Sequence, residues 1–464
     1  MLELRSVFDA MHAASRQFPA PDWALRADRL QRLRALVMNN REAFAKAISA
    51  DFSNRASQET ELAEVFPSVE GIAHALRHGK RWMRVHKRAT GFWFKPATST
   101  LMPQPLGVVG IVAPWNYPLM LAVGPLTAAL AAGNRVMLKQ SEYTPRFAEL
   151  FARLIAASFT ADEIAVVNGD AEVAREFSNL PFDHLLFTGS TAVGRQVMRA
   201  ASEHLTPVTL ELGGKSPAII GPEADFDKAV ERILVGKLLN AGQTCIAPDY
   251  VLLPKDKLQR FADTAQRIFA ELYPDLAGNL DYTSIVSPRH FERLQSLMDE
   301  AGQLGAQLLP LSNAGSDTVS RRLSPVLLTG VNDDMRVMQE EIFGPILPLL
   351  PYDSLEQAIA YVNAHPRPLA LYLFEKSRTN IAQVMRNTVS GGVSINDTLL
   401  HIAQDDLPFG GVGASGMGAY HGEHGFQALS KMKPVFRQSA LNGMSLFKPP
   451  YGKTFRLMMK LLLR

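Results

Sequence analysis

Two hydrophobic patterns alternate along most of this chain. Short continuous apolar runs, typical of strands buried on both faces of a sheet, are separated by longer segments with the period of helices. In the first half, the apolar runs fall at 107–112, 135–138, 164–167, 183–187 and 207–211, and the helical segments near 118–132, 145–158, 171–178 and 191–203. This alternation predicts a parallel, doubly wound α/β sheet whose ligands bind at the carboxyl ends of the strands.

The same alternation resumes after residue 211. A helix is predicted over 225–240. Further strands are predicted near 250–253, 324–328, 346–350, 369–374 and 391–395, with helices near 256–272, 289–304, 354–363 and 378–386. These elements predict a second α/β domain, which the length of 464 residues supports because such a chain is too long for one core.

The segment before the first sheet is predicted to be helical. A short helix is expected at the N-terminus, another over about 57–82, and one long helix from an N-cap at Asp22 to Phe52. The apolar face of the long helix carries Trp23, Ala27, Leu30, Leu33 and Val37. Arg29 and Arg32 are expected to point away from this face.

Residues 85–105 have a different character, because aromatic residues and prolines interrupt short strand-like runs there. Proline cannot donate a hydrogen bond to a sheet, so this segment is a poor core strand and is predicted to form a protruding hairpin. A short strand at 434–437 is expected to pair with it.

Composition limits the classes of function. The chain is 47% hydrophobic and 20% charged and has a net charge of +3, which is typical of a globular protein and does not indicate nucleic-acid binding. It has no run of 18 or more apolar residues, and its N-terminus lacks the apolar segment of a signal peptide. The single cysteine fits a reducing compartment, so we expect a cytoplasmic protein.

Cys245, the only cysteine, lies in the run Gly-Gln-Thr-Cys-Ile-Ala-Pro at 242–248. One thiol cannot form an intramolecular disulfide, whereas its thiolate attacks carbonyl carbon well. The simpler interpretation is an inert cysteine packed as a small hydrophobe. Gly, Gln, Thr and Pro do not fill cores, however, so the run predicts a shaped loop and favours a reactive thiol.

A second run, Leu-Glu-Leu-Gly-Gly-Lys-Ser-Pro at 210–217, places Glu211 at the end of an apolar segment. A carboxylate at this place can act as a general base if the fold brings it to the thiol. Taken together, ELGGKSP and the GQTC that follows it resemble the aldehyde dehydrogenase superfamily. The resemblance extends from about residue 100 to 437.

Several further segments resemble the class 3 branch of that superfamily, which includes bacterial coniferyl-aldehyde dehydrogenases. These segments are PWNYP, GQTCIAPDYVL, LPFGGVGASGMGAYHG and the PPYGK of the tail. The resemblance implies that a homodimer oxidises an aromatic or a medium- to long-chain aliphatic aldehyde with NAD(P). It also implies two doubly wound α/β domains, one for the cofactor and one for catalysis, with a small β-hairpin oligomerisation arm.

The patterns and the resemblance together divide the chain into four parts. We expect an NAD(P)-binding domain (1–84 and 106–210), a catalytic domain (211–395), an oligomerisation arm (85–105 and 396–440) and a basic C-terminal tail (441–464).

Gly189, Ser190 and Gly194 lie where a predicted strand turns into a helix, in the pattern GxxxxG. Gly189 allows close approach of the backbone, and the next helix offers free N–H groups to a pyrophosphate, although such a glycine run can also be only a turn. Lys139 and Glu142 end an earlier strand and can hydrogen-bond ribose hydroxyls, or can form a surface ion pair. A carboxylate near the 2′-hydroxyl favours NAD over NADP. The class 3 resemblance implies tolerance of both.

The resemblance assigns further roles that the residues alone do not. It implies that Glu341 holds the nicotinamide ribose and that Phe343 lies beside the ring, with Trp115 also at the cofactor site. Asn116 alone would be an ordinary turn residue. The resemblance implies that Asn116 and the backbone N–H of Cys245 form an oxyanion hole.

The order of chemical steps also comes from the resemblance. The thiolate of Cys245 adds to the aldehyde, hydride transfer leaves a thioester, and Glu211 activates the water that hydrolyses it. A partly buried carboxylate suits this work because burial raises its pKa toward neutrality. No metal site is expected.

Four residues are candidates for the substrate channel, and each has an equally good structural interpretation: Tyr117, Leu121, His401 and Phe409.

The last twenty residues contain five basic residues and no acidic one: Lys448, Lys453, Arg456, Lys460 and Arg464. Leu457 and Leu461 can share one helical face with Met458 and Leu462. Such a segment can lie on an anionic membrane surface. It can also pack on its own subunit or on a dimer mate, and this second interpretation is favoured.

Two other functions remain as alternatives. A CoA-acylating aldehyde dehydrogenase would use CoA to resolve the thioester, and the presence of Glu211 as a candidate hydrolytic base speaks against it. A non-catalytic binding or structural protein on the same scaffold is disfavoured because the five candidate groups occur together: Cys245, Glu211, Asn116, Lys139 and Glu341.

Overall fold

The structure, a computed structural model, describes residues 2–463, with side chains described for residues 4–463. Three β-sheets organise this part of the chain. Helices precede the sheets: α1 (Leu2–Gln17), α2 (Trp23–Asn39), α3 (Arg41–Phe52), α4 (Ser57–Thr60) and α5 (Phe66–Trp82), with a π-helical turn over Glu61–Val65. Asp22 is the N-cap of α2, as predicted, because its Oδ1 accepts the N–H of Leu25 at 2.9 Å.

The single long helix predicted from Asp22 to Phe52 is wrong, because the helix breaks at Asn40. The side-chain amide of Asn40 donates to the carbonyl oxygen of Leu36 at 2.8 Å, where the backbone N–H of residue 40 would bond in a continuous helix. This local competition separates α2 from α3.

The predicted outward orientation of Arg29 and Arg32 is also wrong. Both bind Glu163, with Arg29 Nε 3.0 Å and Arg32 Nη2 2.9 Å from Oε1. Burial acts to raise the pKa of Glu163, but the hydrogen bonds from the two arginines outweigh it and hold the pKa at about 2. A buried carboxylate on another element thus draws both cations inward.

The chain next forms β1 (His86–Arg88) and β2 (Thr98–Pro105), which pair antiparallel as the predicted hairpin. Phe92, Trp93 and Phe94 lie between these strands and are exposed.

A six-stranded sheet follows, and its strands and helices confirm those predicted for 107–211. They are β3 (Val108–Val112), α6 (Met120–Ala132), β4 (Arg135–Lys139), α7 (Pro145–Ser158), β5 (Ile164–Val167), α8 (Ala171–Ser178), β6 (His184–Thr188), α9 (Thr191–Ser202) and β7 (Val208–Glu211). The strand order is β15-β7-β6-β3-β4-β5, where β15 (Gly416–Met417) is an antiparallel edge strand.

The order of connections reverses at β3, since β4 and β5 extend the sheet on one side and β6 and β7 on the other. The ends of these strands align, with Val112 opposite Lys139 and Phe187, and Thr188 opposite Glu211. A crevice outside the carboxyl ends at such a switch point is the usual ligand site of a doubly wound sheet.

The seven-stranded sheet has the order β10-β11-β12-β9-β8-β13-β14. Its elements are β8 (Pro217–Ile220), α10 (Phe226–Leu238), β9 (Tyr250–Pro254), α11 (Leu258–Leu272), α12 (Pro288–Gln303), β10 (Gln307–Pro310), β11 (Val326–Thr329), α13 (Arg336–Gln339), β12 (Ile346–Tyr352), α14 (Leu355–Ala364), β13 (Ala370–Phe374), α15 (Arg378–Asn387) and β14 (Gly392–Ile395). The five predicted strands and the predicted helices are confirmed.

Two strands of this sheet were not predicted. β8 lies inside the sheet but has only four residues and begins at Pro217, directly after the glycine-rich run; proline is tolerated at the first position of a strand. β10 is an antiparallel edge strand and is largely exposed, so it lacks the apolar run of a buried strand.

The chain ends with α16 (Gly422–Ala428), β16 (Ser430–Arg437) and α17 (Lys453–Leu462). β16 pairs antiparallel with β2 along its whole length, so the predicted strand at 434–437 is confirmed and is longer than expected. On α17, Leu457 and Leu461 are 64% and 58% exposed. None of the helices within residues 2–463 has the length and apolar character needed to cross a bilayer.

Candidate active site

Cys245 lies in the loop between α10 and β9. Three successive residues of this loop have positive φ, namely Asn240 (53°), Ala241 (50°) and Gly242 (75°), which turns the chain sharply after the helix. A Cβ at Gly242 would lie 2.4 Å from the carbonyl oxygen of Gly344, so only glycine fits there.

The buried side chain of Gln243 holds this loop in place. Its amide donates to the carbonyl oxygens of Asn240 (2.9 Å) and Ser284 (3.1 Å), and its Oε1 accepts the N–H of Val286 at 3.0 Å. The Gln of the GQTC run therefore has a structural role, while the Cys two residues after it remains a free thiol.

The Cys245 thiol is partly exposed and lines a cavity of about 860 Å³. Burial raises the pKa of this thiol, the nearby carboxyl groups of Glu341 and Glu211 raise it further, and the N–H groups of Cys245 and Ile246 act in the opposite direction. Without a bound cation, the resting thiol is therefore neutral at pH 7.

Glu211 lines the same cavity from the end of β7. Its side chain is buried, with a residue exposure of 1%, and neither carboxyl oxygen has a hydrogen-bond partner among the described residues. Burial raises its pKa well above the ordinary value. A buried polar group without partners is costly, so this carboxyl group is suited to bind something that enters the cavity.

Asn116 lies in the loop after β3 and is buried at the cavity wall. Its backbone carbonyl oxygen accepts a hydrogen bond from Asn240 Nδ2 at 3.0 Å. Its side-chain amide makes no hydrogen bond with any residue that the structure describes, and so remains available to a ligand. The structure thus brings the three predicted catalytic residues, Cys245, Glu211 and Asn116, to one cavity.

A second cavity, of about 690 Å³, adjoins the first and shares Trp115, Gly189 and Ser190 with it. The two therefore form one cleft that runs across the carboxyl ends of β3, β4 and β6. Lys139 and Glu142 line the far part of this cleft.

Lys139 forms an ion pair with the exposed Glu142, but its own side chain is buried. Its Nζ donates to the carbonyl oxygen of Gly169 at 2.7 Å and lies 3.4 Å from Glu142 Oε2. Burial lowers the pKa of Lys139, and Glu142 opposes this shift. Glu142 is exposed and its carboxylate remains accessible from the cleft.

The glycine turn between β6 and α9 faces the cleft, but its members differ in their surroundings. Ser190 is the N-cap of α9, and its Oγ accepts the N–H of Val193 at 3.4 Å. A Cβ at Gly189 would collide with the ring of Phe187, and one at Gly194 with Leu212 at 2.7 Å. Gly194 therefore serves the packing of α9 against the sheet, and Gly189 and Ser190 line the cleft.

Glu341 approaches the cavity from the segment after α13. Its carboxylate lies against Gly213, and the N–H of Gly214 donates to it. Burial raises the pKa of Glu341 to about 8, Asp249 adds to the rise, and Gly214 and Lys215 oppose it. Its Oε1 has no partner among the described residues.

Phe343 has a φ of 54°, which is unusual for a bulky residue. Its ring meets that of Trp115 edge-on with centroids 5.3 Å apart, and both line the first cavity. His290 lies 5.0 Å from Trp115 and lines both cavities, as does Arg293. Neither residue could be recognised from the sequence, because both lie on α12, whose pattern is that of an ordinary amphipathic helix.

The candidate channel residues are placed differently from one another. Leu121 lines the catalytic cavity. Tyr117 is beside it, with its hydroxyl 2.7 Å from Thr244 Oγ1. His401 Nδ1 lies 3.0 Å from Ser394 Oγ, and Phe409 packs in the protein interior; neither lines the large cavity.

A smaller cavity of about 190 Å³ lies next to α5 and α6. Tyr420 and His421 line it, and neither was identified from the sequence, although both stand in the quoted YHG segment. The Tyr420 hydroxyl is buried without a partner among the described residues. Burial raises its pKa, and Glu211 and Cys245 add to the rise, which places Tyr420 near the catalytic residues.

Among the described side chains, no group of three or more His, Cys, Asp or Glu residues is placed to hold a metal ion.

Comparisons with known proteins agree with this arrangement. The chain matches the aldehyde dehydrogenase family over residues 3–435. It is 51% identical to a probable coniferyl aldehyde dehydrogenase of Pseudomonas aeruginosa, over 100% of this chain and 97% of that protein. It is 46% identical to the coniferyl aldehyde dehydrogenase of a Pseudomonas species, over 99% of this chain and 96% of that protein.

Among solved structures, the chain is similar to the substrate-bound state of Staphylococcus aureus AldH. The TM-score is 0.93 at 37% identity, and the match covers 100% of this chain and 99% of that one. The family match and these relatives span essentially the whole sequence. The chain therefore belongs to the aldehyde dehydrogenase family and is an NAD(P)-dependent aldehyde dehydrogenase.

Proposed function

We propose that the enzyme converts an aromatic aldehyde of the coniferyl type to its free acid, with Cys245 as nucleophile, Asn116 as oxyanion donor and Glu211 as general base. One observation carries this proposal. A free thiol, a side-chain amide and a carboxyl group without partners line one cavity, which opens into a long cleft at the switch point of the sheet.

The Cys245 thiol, neutral at rest, first releases its proton to water in the cleft, and its thiolate then adds to the aldehyde carbon. The amide of Asn116 and the backbone N–H of Cys245 donate hydrogen bonds to the alkoxide that forms. The chemistry that NAD(P)+ supplies when bound is acceptance of a hydride from this carbon, after which a thioester remains on Cys245. Glu211 then takes a proton from the water that attacks the thioester, and the acid leaves as the thiol is restored.

Residues along the cleft fit a dinucleotide. We propose that Lys139 and Glu142 bind the adenosine ribose and that Gly189 and Ser190 admit the pyrophosphate at the N-terminus of α9. Glu341 keeps one carboxyl oxygen free for the nicotinamide ribose. NAD is the preferred cofactor in this proposal because the Glu142 carboxylate disfavours a 2′-phosphate, and NADP is the weaker alternative.

Two aromatic side chains lie where the nicotinamide ring would bind. We propose that Trp115 and Phe343, which line the first cavity, flank it. Gly194 contributes to the cofactor site only by letting α9 pack closely.

The substrate class rests on the relatives named above and on a group of buried polar atoms near Phe409. Three buried polar atoms without partners surround Phe409, namely His401 Nε2, Tyr420 OH and His421 Nδ1. An aromatic aldehyde that carries hydroxyl or methoxy groups would satisfy such atoms, whereas a long alkyl chain would not. We propose that Leu121 and Tyr117 line the substrate channel between Phe409 and Cys245. A medium- or long-chain aliphatic aldehyde is the alternative substrate.

We propose the domain division stated above, with β1, β2 and β16 as the arm of a homodimer. Exposed aromatic side chains on this arm support the proposal, among them Trp93 (59% exposed) and Phe436 (52% exposed), because a second copy would cover them. The exposed leucines of α17 favour packing of the tail on the second copy, with an anionic membrane surface as the alternative. A free catalytic thiol supports a cytoplasmic location.

The proposal is tested with coniferaldehyde, cinnamaldehyde and hexanal, each with NAD or NADP and without CoA. We expect NADH to form with the aromatic aldehydes at a higher kcat/KM than with hexanal, and the free acid to be the product. NADH formation only after addition of CoA would establish the CoA-acylating alternative. No turnover under any condition would favour the non-catalytic one.

A further inference from the structure

Arg55 is a fully buried cation that the proposed reaction does not use. Its side chain has no exposed surface and lies between two buried carboxyl groups, with Nη1 2.9 Å from Glu64 Oε1 and Nε 3.3 Å from Glu59 Oε1. The guanidinium also lies over the ring of Tyr117, 4.8 Å from its centroid. A buried ionic cluster of this kind is a poor source of stability, because apolar residues of similar size would serve as well.

The Arg55 guanidinium contacts the oxyanion loop directly. Its Nη1 donates to the backbone carbonyl oxygen of Asn116 at 3.1 Å, and Asn240 Nδ2 donates to the same oxygen at 3.0 Å. Two donors on one carbonyl oxygen fix the orientation of that peptide group. The direction in which the Asn116 side chain leaves the backbone is fixed with it.

The carboxyl groups of Glu64 and Glu59 extend this hydrogen-bonded cluster to the backbone near Asn116 and near Cys245. Glu64 Oε2 accepts the N–H groups of Leu119 (2.7 Å) and Met120 (3.1 Å), which start α6 after the oxyanion loop. Glu59 accepts the N–H of Asn240, five residues before Cys245. Glu64 lies in the π-helical turn, a distortion that is frequent at functional sites.

The cluster therefore joins two loops that belong to different sheets. Asn116 follows β3 of the six-stranded sheet, and Asn240 precedes β9 of the seven-stranded sheet. Arg55 comes from a third place, the segment between α3 and α4. Among the contacts of the described residues, the carbonyl oxygen of Asn116 is the only one at which hydrogen bonds join these three segments.

We propose that Arg55 is a positioning residue for acylation, which holds the Asn116 amide in a fixed place relative to Cys245. This inference rests on the proposed role of Asn116 as oxyanion donor. Arg55 lines neither cavity of the cleft, so it acts on substrate only through Asn116. A small misplacement of an oxyanion donor is enough to slow the step that forms the alkoxide.

The test compares single-turnover NADH formation from coniferaldehyde in Arg55→Met, Asn116→Ala and the double variant, per active site titrated by thiol alkylation. We expect Arg55→Met to slow acylation by ~10- to 100-fold, the scale of a small misplacement of catalytic groups. The NAD dissociation constant should not change. In the Asn116→Ala background, Arg55→Met should add little further loss, because the group it positions is already absent.

Arg29→Met is the matched control, since it also removes a buried arginine that pairs with a carboxylate. Its partner Glu163 lies before β5, at the amino ends of the strands and away from the cleft. We expect this variant to lose thermal stability but to acylate at the wild-type rate. If Arg55→Met behaves like Arg29→Met, Arg55 has only a structural role and the inference is wrong.

A second variant covers the case in which Arg55→Met does not fold. Asn240→Gly removes the other donor to the Asn116 carbonyl oxygen, and glycine tolerates the positive φ of this position. It should slow acylation and show the same lack of additivity with Asn116→Ala. Independent, multiplying effects would overturn the inference alone, whereas normal acylation by Asn116→Ala itself would overturn the proposed role of Asn116 and the inference with it.

Discussion

The backbone N–H of Gly189 donates a 3.0 Å hydrogen bond to the carbonyl oxygen of Glu211. Gly189 opens the turn that faces the proposed pyrophosphate site, and Glu211 carries the proposed general base. Gly189 directly follows β6 and Glu211 ends the neighbouring strand β7, so the sheet itself sets the distance between cofactor and base. Any ligand that moves the glycine turn would therefore also move the backbone that carries the Glu211 carboxyl group.

Replacement of Cys245 by alanine should abolish aldehyde oxidation and any esterase activity, because no other thiol exists in the chain. NAD binding, measured by calorimetry, should be unchanged, since the cofactor cleft is built mainly from other residues. Substantial residual turnover in this variant would contradict the assignment of the nucleophile.

The regular parts of the fold could be predicted because the alternation of buried strands and helices is strong there. The features that escaped prediction depend on contacts between distant residues. Arg29 looked like a solvent-facing residue until Glu163, 134 positions later, placed a buried carboxylate beside it. β8 begins at a proline directly after a glycine-rich run, which is typical of a loop, and its position inside the sheet follows only from pairing with β9 and β13.

The candidate site was predictable to a different degree in its different parts. Cys245, Glu211 and Asn116 stand in distinctive runs, and the strand ends that carry them meet at one edge. Arg55 has no such signal, since its neighbours read as the end of one helix and the start of another. Its closeness to Asn116 arises from the packing of α3 against α7 and of α4 against the π-helical turn, which no local pattern encodes.

Replacement of Glu341 by glutamine should lower the pKa of the Cys245 thiol. An ionised Glu341 disfavours the thiolate, so the neutral amide should shift the pH profile of iodoacetamide alkylation to lower pH. Because Glu341 has a pKa of about 8, the two profiles should differ most above pH 8.

Asp333→Asn is the control for this experiment, because it removes a negative charge from the same cavity. The Asp333 carboxylate accepts a hydrogen bond from the Tyr361 hydroxyl at 2.6 Å. The alkylation profile of this variant should match that of the wild type. Equal shifts in both variants would mean that the net charge of the cavity, and not Glu341 in particular, sets the pKa of the thiol.

Replacement of Glu142 by alanine should shift cofactor choice toward NADP, because it removes the carboxylate proposed to lie near the 2′-hydroxyl. We expect the NAD/NADP ratio of kcat/KM to fall by roughly tenfold, which corresponds to about 1.4 kcal/mol. Glu149→Ala is a suitable control, since Glu149 is exposed on α7 and does not line the cleft. An unchanged ratio would show that Glu142 does not face the ribose.

Deletion of residues 441–464 distinguishes the two interpretations of the tail. If the tail packs on the second copy, the deletion should lower the melting temperature or shift the dimer toward monomer in analytical ultracentrifugation, with no effect on sedimentation with vesicles. If the tail lies on a membrane, the full chain should sediment with anionic vesicles and the deleted chain should not. We expect the first result, because α17 exposes Leu457 and Leu461 to a potential partner.

Replacement of Glu211 by glutamine should separate acylation from deacylation. The amide keeps the size of the side chain but cannot accept a proton, and acylation depends on Cys245, Asn116 and the cofactor. The variant should therefore release one equivalent of NADH per site in a burst and then turn over ~10²- to 10⁴-fold more slowly, the usual contribution of a general base. Mass spectrometry should find the acyl group on Cys245.

The pH dependence gives this prediction a second readout. Burial raises the pKa of Glu211, so the wild-type carboxyl group is protonated at low pH, and only its ionised form can accept a proton from water. Steady-state turnover limited by deacylation should thus rise with pH in the wild type, and this rise should disappear in Glu211→Gln. Loss of the burst itself would indicate that Glu211 instead activates the thiol. Normal steady-state turnover would mean that a group other than Glu211 deprotonates the water.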